Sequence, residues 1–380
     1  MERFDAIVVG AGPAGSTAAF RLSRAGARVL LLDRERFPRD KPCGGGLTYR
    51  AVRQLPVSVD AVVEDTVRRC RLGLRYGRSF ERRTDGPLIL MTQRRRLDAH
   101  LAEQAASAGA DFRDGARATG LELEDDGGIV RFGGSSASAP VVIGADGVNG
   151  LTARALGLMG RRSHAVALEG NVRHVHARED YRGRATVELG TVPGGYAWVF
   201  PKGDHVNVGV GGWESEGPRL REHLERACAG YGLPAERLES VRGYRLPMRA
   251  AGDRVTSGRA LLVGDAAGLV DPLSGDGMYE AFVSARLAAE TGLELLEGRV
   301  GDLAGYGSKL ELELGRTLGA SWKAKRALER FPRLVFAVAS LPPVWGFISA
   351  FLRGDLEHPD QASGLVRAPL RLVDTLGRQG

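Results

Sequence analysis

Residues 6–33 leave this chain few folds to choose from. Ala6-Ile7-Val8-Val9 is a short apolar run closed by a glycine turn, which predicts a buried strand. Gly10-Ala11-Gly12-Pro13-Ala14-Gly15 follows at once. From Ala14 to Ala25 a helix is predicted, with Ala18, Ala19, Leu22 and Ala25 on one side. Val29-Leu30-Leu31-Leu32 predicts a second buried strand, and it ends in Asp33. Strand, glycine turn, helix, strand and acid in this order form the dinucleotide fingerprint in its required context. Gly10 makes the tight turn, Gly12 lets the backbone approach a pyrophosphate, and Gly15 lets helix pack closely on strand. The helix N-terminus offers free N–H groups and the positive end of its dipole. Pro13 sits at the helix start, and Asp33 can accept from a ribose hydroxyl. The nucleotide at this stage is NAD or FAD.

Composition closes off other classes. Hydrophobic residues are 43% and charged residues 26% of 380, ordinary for a globular chain and unlike disorder or a polytopic membrane protein. The 53 glycines follow no repeat and therefore mark special turns. A net charge of +7 on a chain this long, without a basic and aromatic motif, does not indicate nucleic acid. Cys43, Cys70 and Cys228 are far apart and form no CxxC, which argues against a disulfide framework or a four-cysteine iron–sulfur cluster. His174 and His176 read as facing one way on a strand, but two histidines without a third ligand make a poor metal site, so no metal is expected. Met1-Glu2-Arg3-Phe4-Asp5 runs straight into the first strand without a signal-peptide pattern, and a cytoplasmic location is expected.

Later motifs select FAD. Val141-Val142-Ile143-Gly144 predicts a strand running into Ala145-Asp146-Gly147. Ala260-Leu261-Leu262-Val263 predicts another, running into Gly264-Asp265, with Pro272, Gly275 and Gly277 following and a long helix from about Met278 to Glu297. Asp265 at a strand end can hold the ribityl hydroxyls of a flavin. The helix beginning near Gly277 would aim its N–H groups at the flavin N1 and C2 carbonyl, where reduced flavin is negative.

These motifs together resemble the flavoprotein superfamily of para-hydroxybenzoate hydroxylase, and within it the geranylgeranyl reductase family. Four segments carry the resemblance: Phe37-Pro38-Arg39-Asp40-Lys41-Pro42-Cys43-Gly44-Gly45-Gly46; Gln93-Arg94-Arg95-Arg96-Leu97-Asp98, with Leu97 replacing the usual aromatic; Pro193-Gly194-Gly195-Tyr196-Ala197-Trp198-Val199-Phe200-Pro201-Lys202; and Gly264-Asp265-Ala266-Ala267-Gly268 through Gly277. The similarity spans roughly residues 1–300. It implies an α/β fold: a Rossmann-like FAD domain from 1–67, 93–160 and 251–300, an inserted sheet-rich substrate domain from 68–92 and 161–250, and a helical region over 301–380. It also implies that Ala14, Asp33, Arg34, Cys43, Gly44, Gly46, Arg94, Ala118, Asp265, Gly277 and Met278 line FAD, beside the fingerprint glycines and the turns at Asp146, Gly264, Pro272 and Gly275.

Tyr196, Trp198 and Phe200 alternate and so share one strand face. Lys202-Gly203-Asp204 reads as a hairpin turn, with Val206, Val208 and Val210 alternating on the return strand. Such alternation alone reads most simply as the core face of a sheet. The resemblance instead implies an aromatic wall beside the flavin that holds an apolar chain, with Tyr196 and Trp198 stabilising positive charge at an alkene carbon through their ring faces. Cys43 either helps to protonate the substrate or is a small residue packed on the cofactor. Asp125-Asp126-Gly127-Gly128 and Gly133-Gly134 read as hairpin turns.

In the tail, residues 316–333 hold Arg316, Lys323, Lys325, Arg326, Arg330 and Arg333 against one acid, Glu329. Leu334 to Leu352 then carries no charge but is split by Pro342-Pro343. This pattern fits a peripheral membrane anchor over 316–352, a lid over a lipid pocket, or plain core helices.

The resemblance implies an FAD-dependent reductase that hydrogenates carbon–carbon double bonds of a polyprenyl chain on a lipid, quinone or diphosphate. With no second dinucleotide fold in view, NAD(P)H must visit transiently or ferredoxin supplies electrons. The rival enzyme is a flavin monooxygenase or halogenase of the same superfamily; halogenases usually carry Trp-x-Trp-x-Ile-Pro where this chain has Tyr196-Ala197-Trp198-Val199-Phe200-Pro201. A non-catalytic isoprenoid carrier with structural FAD is the third reading.

Overall fold

A computed structural model describes residues 1–160, 162–358 and 361–378. At its centre Ala6–Val9 lies between Val29–Leu32 and Val141–Gly144, all parallel, with Ala6 opposite both Val29 and Val141. Every residue of these three strands is buried. A parallel sheet covered on both faces needs such continuous apolar runs, which is why they stood out in the sequence. Ala260–Leu262 and Asp111–Arg113 extend the sheet in parallel on either side, and Thr256–Ser257 closes one edge antiparallel. The helices Pro13–Arg24 and Met278–Leu296 pack against the sheet and each other. Because the strands run the same way, the turns at Gly10, Ala145-Asp146 and Gly264-Asp265 meet at one edge, where ligands of open α/β sheets bind.

Two smaller sheets support this centre. Ala118–Glu124, Gly127–Phe132 and Ser135–Ala139 form an antiparallel meander that Glu2–Arg3 joins. Its turns fall at Asp125-Asp126 and Gly133-Gly134; Gly127 and Gly128 already belong to the second strand. Gly46–Thr48 and Val63–Val67 flank Ile89–Thr92.

A seven-stranded sheet lies beyond, in the order Glu239–Arg249, Arg162–Arg173, His205–Trp213, Tyr196–Pro201, Arg184–Leu189, Arg69–Leu74, Arg78–Arg83. Its hairpin turns at Lys202-Gly203-Asp204, as expected. Ala197 pairs with Val210 and Val199 with Val208, and these four face a core shared with Leu220–Gly230. The alternate residues Tyr196, Trp198 and Phe200 therefore face the other way, toward the central sheet. His174 and His176 do not lie on a strand. They form a single 3-10 turn after Arg162–Arg173, and the His174 ring bonds the Lys202 carbonyl.

The C-terminal region is helical: Gly305–Arg330, Pro332–Ser340, Pro342–Arg353 and Arg367–Arg378. The two apolar helices bend by 87° at Pro342. Phe80 of the seven-stranded sheet packs on Phe336 and Trp345, with ring centroids 5.4 and 6.3 Å apart. Among the described residues no single helix is long and apolar enough to cross a membrane.

Candidate active site

One cavity of about 950 Å³ runs from the central-sheet turns to the seven-stranded sheet. All but one of the sequence-predicted site residues line it. The exception is Gly15, where an added Cβ would stand 1.8 Å from the Gly10 carbonyl oxygen. Gly15 therefore packs helix on turn and does not touch the ligand space.

The nucleotide end is built by the fingerprint. Gly10 has φ +106°, and a Cβ there would meet the Ala145 carbonyl oxygen at 2.4 Å. At Gly12 a Cβ would meet only Arg39, at 3.6 Å, so the backbone is open toward the cavity. No side chain of Gly12 caps the following helix, leaving N–H groups free for a pyrophosphate. Asp33 accepts the Ala11 N–H at 2.8 Å and the Glu35 N–H at 2.9 Å. A carboxylate has about four acceptor positions, so two remain for ribose hydroxyls. Arg34 and Ala118 complete this end. Asp146 also lines it, but its carboxylate is committed to the Thr152 N–H and hydroxyl, where it caps a short helix. Burial raises its pKa despite these bonds.

Midway stand two charge clusters. Arg94 bonds both oxygens of Asp98 at 2.7 Å, and Arg39 reaches the same carboxylate at 2.7 Å. Asp98 is fully buried. Asp265 takes Lys41 Nζ at 2.9 Å and the Tyr244 hydroxyl at 3.2 Å, both on Oδ2. Burial alone would raise the Asp265 pKa, but Lys41 and then Arg94 outweigh it and hold the carboxyl below its usual range. Oδ1 faces Gly277, leaving an acceptor for a ribityl hydroxyl. Pro272, Gly275, Gly277 and Met278 line the cavity where Met278–Leu296 begins. Asp276 bonds the Met278 N–H at 2.9 Å, and burial pushes its carboxyl up to about 6.

The far end is apolar. Tyr196, Trp198 and Phe200 line it as a row: Tyr196 meets Trp198 edge to face with centroids 6.0 Å apart, and Trp198 stacks on Phe200 at 6.2 Å. The Trp198 indole donates to Asn207 at 2.8 Å, which fixes the ring. Gly209, opposite Trp198 in register, makes room for it: a Cβ there would stand 2.1 Å from the indole. The Tyr196 hydroxyl donates to the Ser274 carbonyl. Ala165, Ala167 and Ala185 widen the sheet face, and Leu352 of Pro342–Arg353 supplies part of the opposite wall.

The Cys43–Gly46 loop lies between the aromatic row and the charge clusters. A Cβ at Gly44 would meet the Phe200 ring at 2.9 Å. The Cys43 N–H donates to Glu169 at 2.7 Å. Lys202, 3% exposed, donates to the Gly44 carbonyl at 2.5 Å and the Thr92 carbonyl at 2.6 Å. Burial drives Lys202 down to about 8, against the pull of Cys43 and Glu169.

Several partners escaped the sequence reading. Lys41, Arg39, Asp98 and Lys202 sat inside quoted motifs, but nothing local assigned their bonds. Glu169, Tyr244 and Leu352 had no motif at all.

The residues present fit FAD: an open glycine backbone at a free helix N-terminus, an acid with spare acceptors, and a second acid facing a second helix start. Comparisons agree. The FAD binding domain family matches residues 3–299. The chain is 33% identical over 317 residues to digeranylgeranylglycerophospholipid reductase 1 of Methanopyrus kandleri, across 77% of this chain and 81% of that one. It is 34% identical over 326 residues to a menaquinone reductase of Mycobacterium tuberculosis, across 79% and 78%. A geranylgeranyl bacteriochlorophyll reductase-like structure from Thermoplasma acidophilum superposes with TM-score 0.82 at 25% identity, covering 98% of this chain and all of that one. A flavin-dependent brominase superposes with TM-score 0.80 at 18% identity, covering 100% of both chains, a likeness of fold alone. The chain belongs to the geranylgeranyl reductase family of FAD-dependent oxidoreductases, and FAD is its cofactor.

Proposed function

We propose that this FAD-dependent oxidoreductase hydrogenates carbon–carbon double bonds of a polyprenyl chain. The observation that carries the reading is continuity: the cavity that holds the cofactor-binding turns opens directly onto a row of three aromatic rings and a face of alanines. A long apolar chain gains from burial along such a face. The relatives' names agree on reductases, two of them naming a geranylgeranyl group.

Bound FAD, once reduced, supplies a hydride. The chain's own residues orient the alkene and deliver the proton. Trp198, fixed by Asn207, presents a ring face beside the reacting carbons, and Tyr196, fixed by Ser274, continues that face. Positive charge growing on one carbon is stabilised there. A hydride on one carbon and a proton on the other would saturate the double bond. Cys43, which lines the cavity on the loop that Glu169 and Lys202 hold, is the residue to which this reading assigns the proton.

Electrons come from NAD(P)H binding transiently or from ferredoxin. The C-terminal helices act first as a lid, since Leu352 walls the cavity. The exposed Leu341-Pro342-Pro343 turn between them, with Arg333 nearby in sequence, is the part of 316–352 that would touch a cytoplasmic membrane face.

Anaerobic single turnover tests the reading. Chemically reduced holoenzyme is mixed with geranylgeranyl diphosphate or a polyprenyl quinone in detergent. Flavin reoxidation with gain of one hydrogen pair per product is expected. Reoxidation only on admitting air, with gain of oxygen in the product, would transfer the chain to the monooxygenases and halogenases.

A further inference from the structure

A second cavity, of about 270 Å³, adjoins the first. The two share Gly194, Gly195, Leu273 and Lys325 as walls. Arg75 lines the second cavity only.

Lys325 is 5% exposed. Its ammonium donates to the Gly194 carbonyl and lies 4.3 Å from the centroid of the Trp213 ring. Three N–H donors therefore meet one oxygen and a ring face. The acid in this wall, Glu329, accepts the Trp213 indole N–H at 2.7 Å. No carboxylate of the described residues stands within ion-pairing reach of Lys325 or Arg75. In the larger cavity Arg39 and Arg94 share Asp98, Lys41 has Asp265, and Arg242 has Asp40. A buried ammonium without a directly paired carboxylate is costly. Here burial drives its pKa down to about 8, against the longer-range pull of Glu329 and then Asp271, which leaves it charged at neutral pH.

We propose that this second cavity binds the phosphate ester headgroup of the prenyl substrate, with Lys325 at the junction and Arg75 at the outer wall. The proposal rests on the prenyl reductase reading and adds the headgroup's charge to it. The tail would lie along Tyr196, Trp198 and Phe200, and the headgroup would pass Gly194-Gly195, which line both cavities; these glycines let Trp213 and the Gly211 backbone pack closely behind them. Diphosphate and phosphomonoester share the chemistry needed: several anionic oxygens for an ammonium and a guanidinium.

The test uses FAD-loaded enzyme and two ligand pairs, each with its dephosphorylated parent: geranylgeranyl diphosphate against geranylgeraniol, and digeranylgeranylglyceryl phosphate against its free alcohol. Binding is followed by the change in flavin absorbance, and turnover by product mass. Wild type should favour at least one phosphorylated ligand by about tenfold or more, the scale of one charge-assisted hydrogen bond. Arg75→Gln, an exposed change that should not disturb folding, and Lys325→Met should each shrink that preference several-fold. The preferred pair identifies the headgroup. Equal binding within both pairs, or variants that weaken a ligand and its parent alike, overturns the headgroup site while leaving prenyl reduction intact. Failure to reduce any of the four ligands while a polyprenyl quinone is reduced overturns the headgroup site and keeps the prenyl reading; failure with the quinone as well removes both.

Discussion

Lys202 donates to the Gly44 carbonyl oxygen across 2.5 Å, and that bond ties the strand carrying the aromatic row to the loop carrying Cys43. Lys202→Met removes it and leaves the Gly44 and Thr92 carbonyls buried without that donor. A cost of about 2 kcal/mol or more is expected, with faster alkylation of Cys43 and weaker flavin retention. Iodoacetamide labelling of the holoenzyme followed by peptide mass analysis measures the first effect. Unchanged labelling would show that the loop holds itself.

The same lysine gives a pH signature. Burial places its folded pKa at about 8, below its ordinary 10.5. Between these values the unfolded chain binds more protons, so wild-type stability gains a favourable contribution as pH rises from about 8 toward 10.5. Lys202→Met lacks it. Urea midpoints of the two proteins should therefore separate further at about pH 9.5 than at about pH 7. Parallel behaviour would contradict the assignment.

Asp98 is the shared anchor of Arg94 and Arg39. Asp98→Ala strands two guanidiniums in a buried wall and should cost about 3–5 kcal/mol, with loss of bound FAD on purification. Calorimetry and the flavin-to-protein ratio report both. A flavin-replete variant with wild-type Tm would mean that neither arginine needs it.

Gly209→Val tests the aromatic row without touching the cofactor end. Its side chain must displace the Trp198 indole, which stands 2.1 Å from even an ideal Cβ. The overpacking should cost about 1–3 kcal/mol. Turnover should drop at least about tenfold while flavin content holds. Full activity would exclude Trp198 from the substrate face.

Leu352→Trp narrows the cavity where Pro342–Arg353 lines it. If the prenyl chain runs beneath this helix, long substrates should lose about tenfold more kcat/KM than short ones. Competition between substrates of two chain lengths, read by mass spectrometry, gives the ratio directly. An equal loss for both would place the chain elsewhere.

The backbone frame was legible because its rules are local. Ala6–Val9 and Val29–Leu32 are apolar throughout because both sheet faces are covered, and Gly10 is glycine because its φ is +106°. Those constraints act within a few residues, so the cofactor turns, the aromatic alternation and the hairpin at Lys202-Gly203-Asp204 could be read in order along the chain. What tertiary structure alone decided are the side-chain partners. Lys41 meets Asp265 across 224 positions, Cys43 meets Glu169 across 126, and Lys202 meets Gly44 across 158. No periodicity records such distances. Two elements must first be packed before a burial cost exists and a charge must find its counterpart. The same reason hid Lys325, one of six cations in a basic stretch, until Gly194 and Trp213 enclosed it.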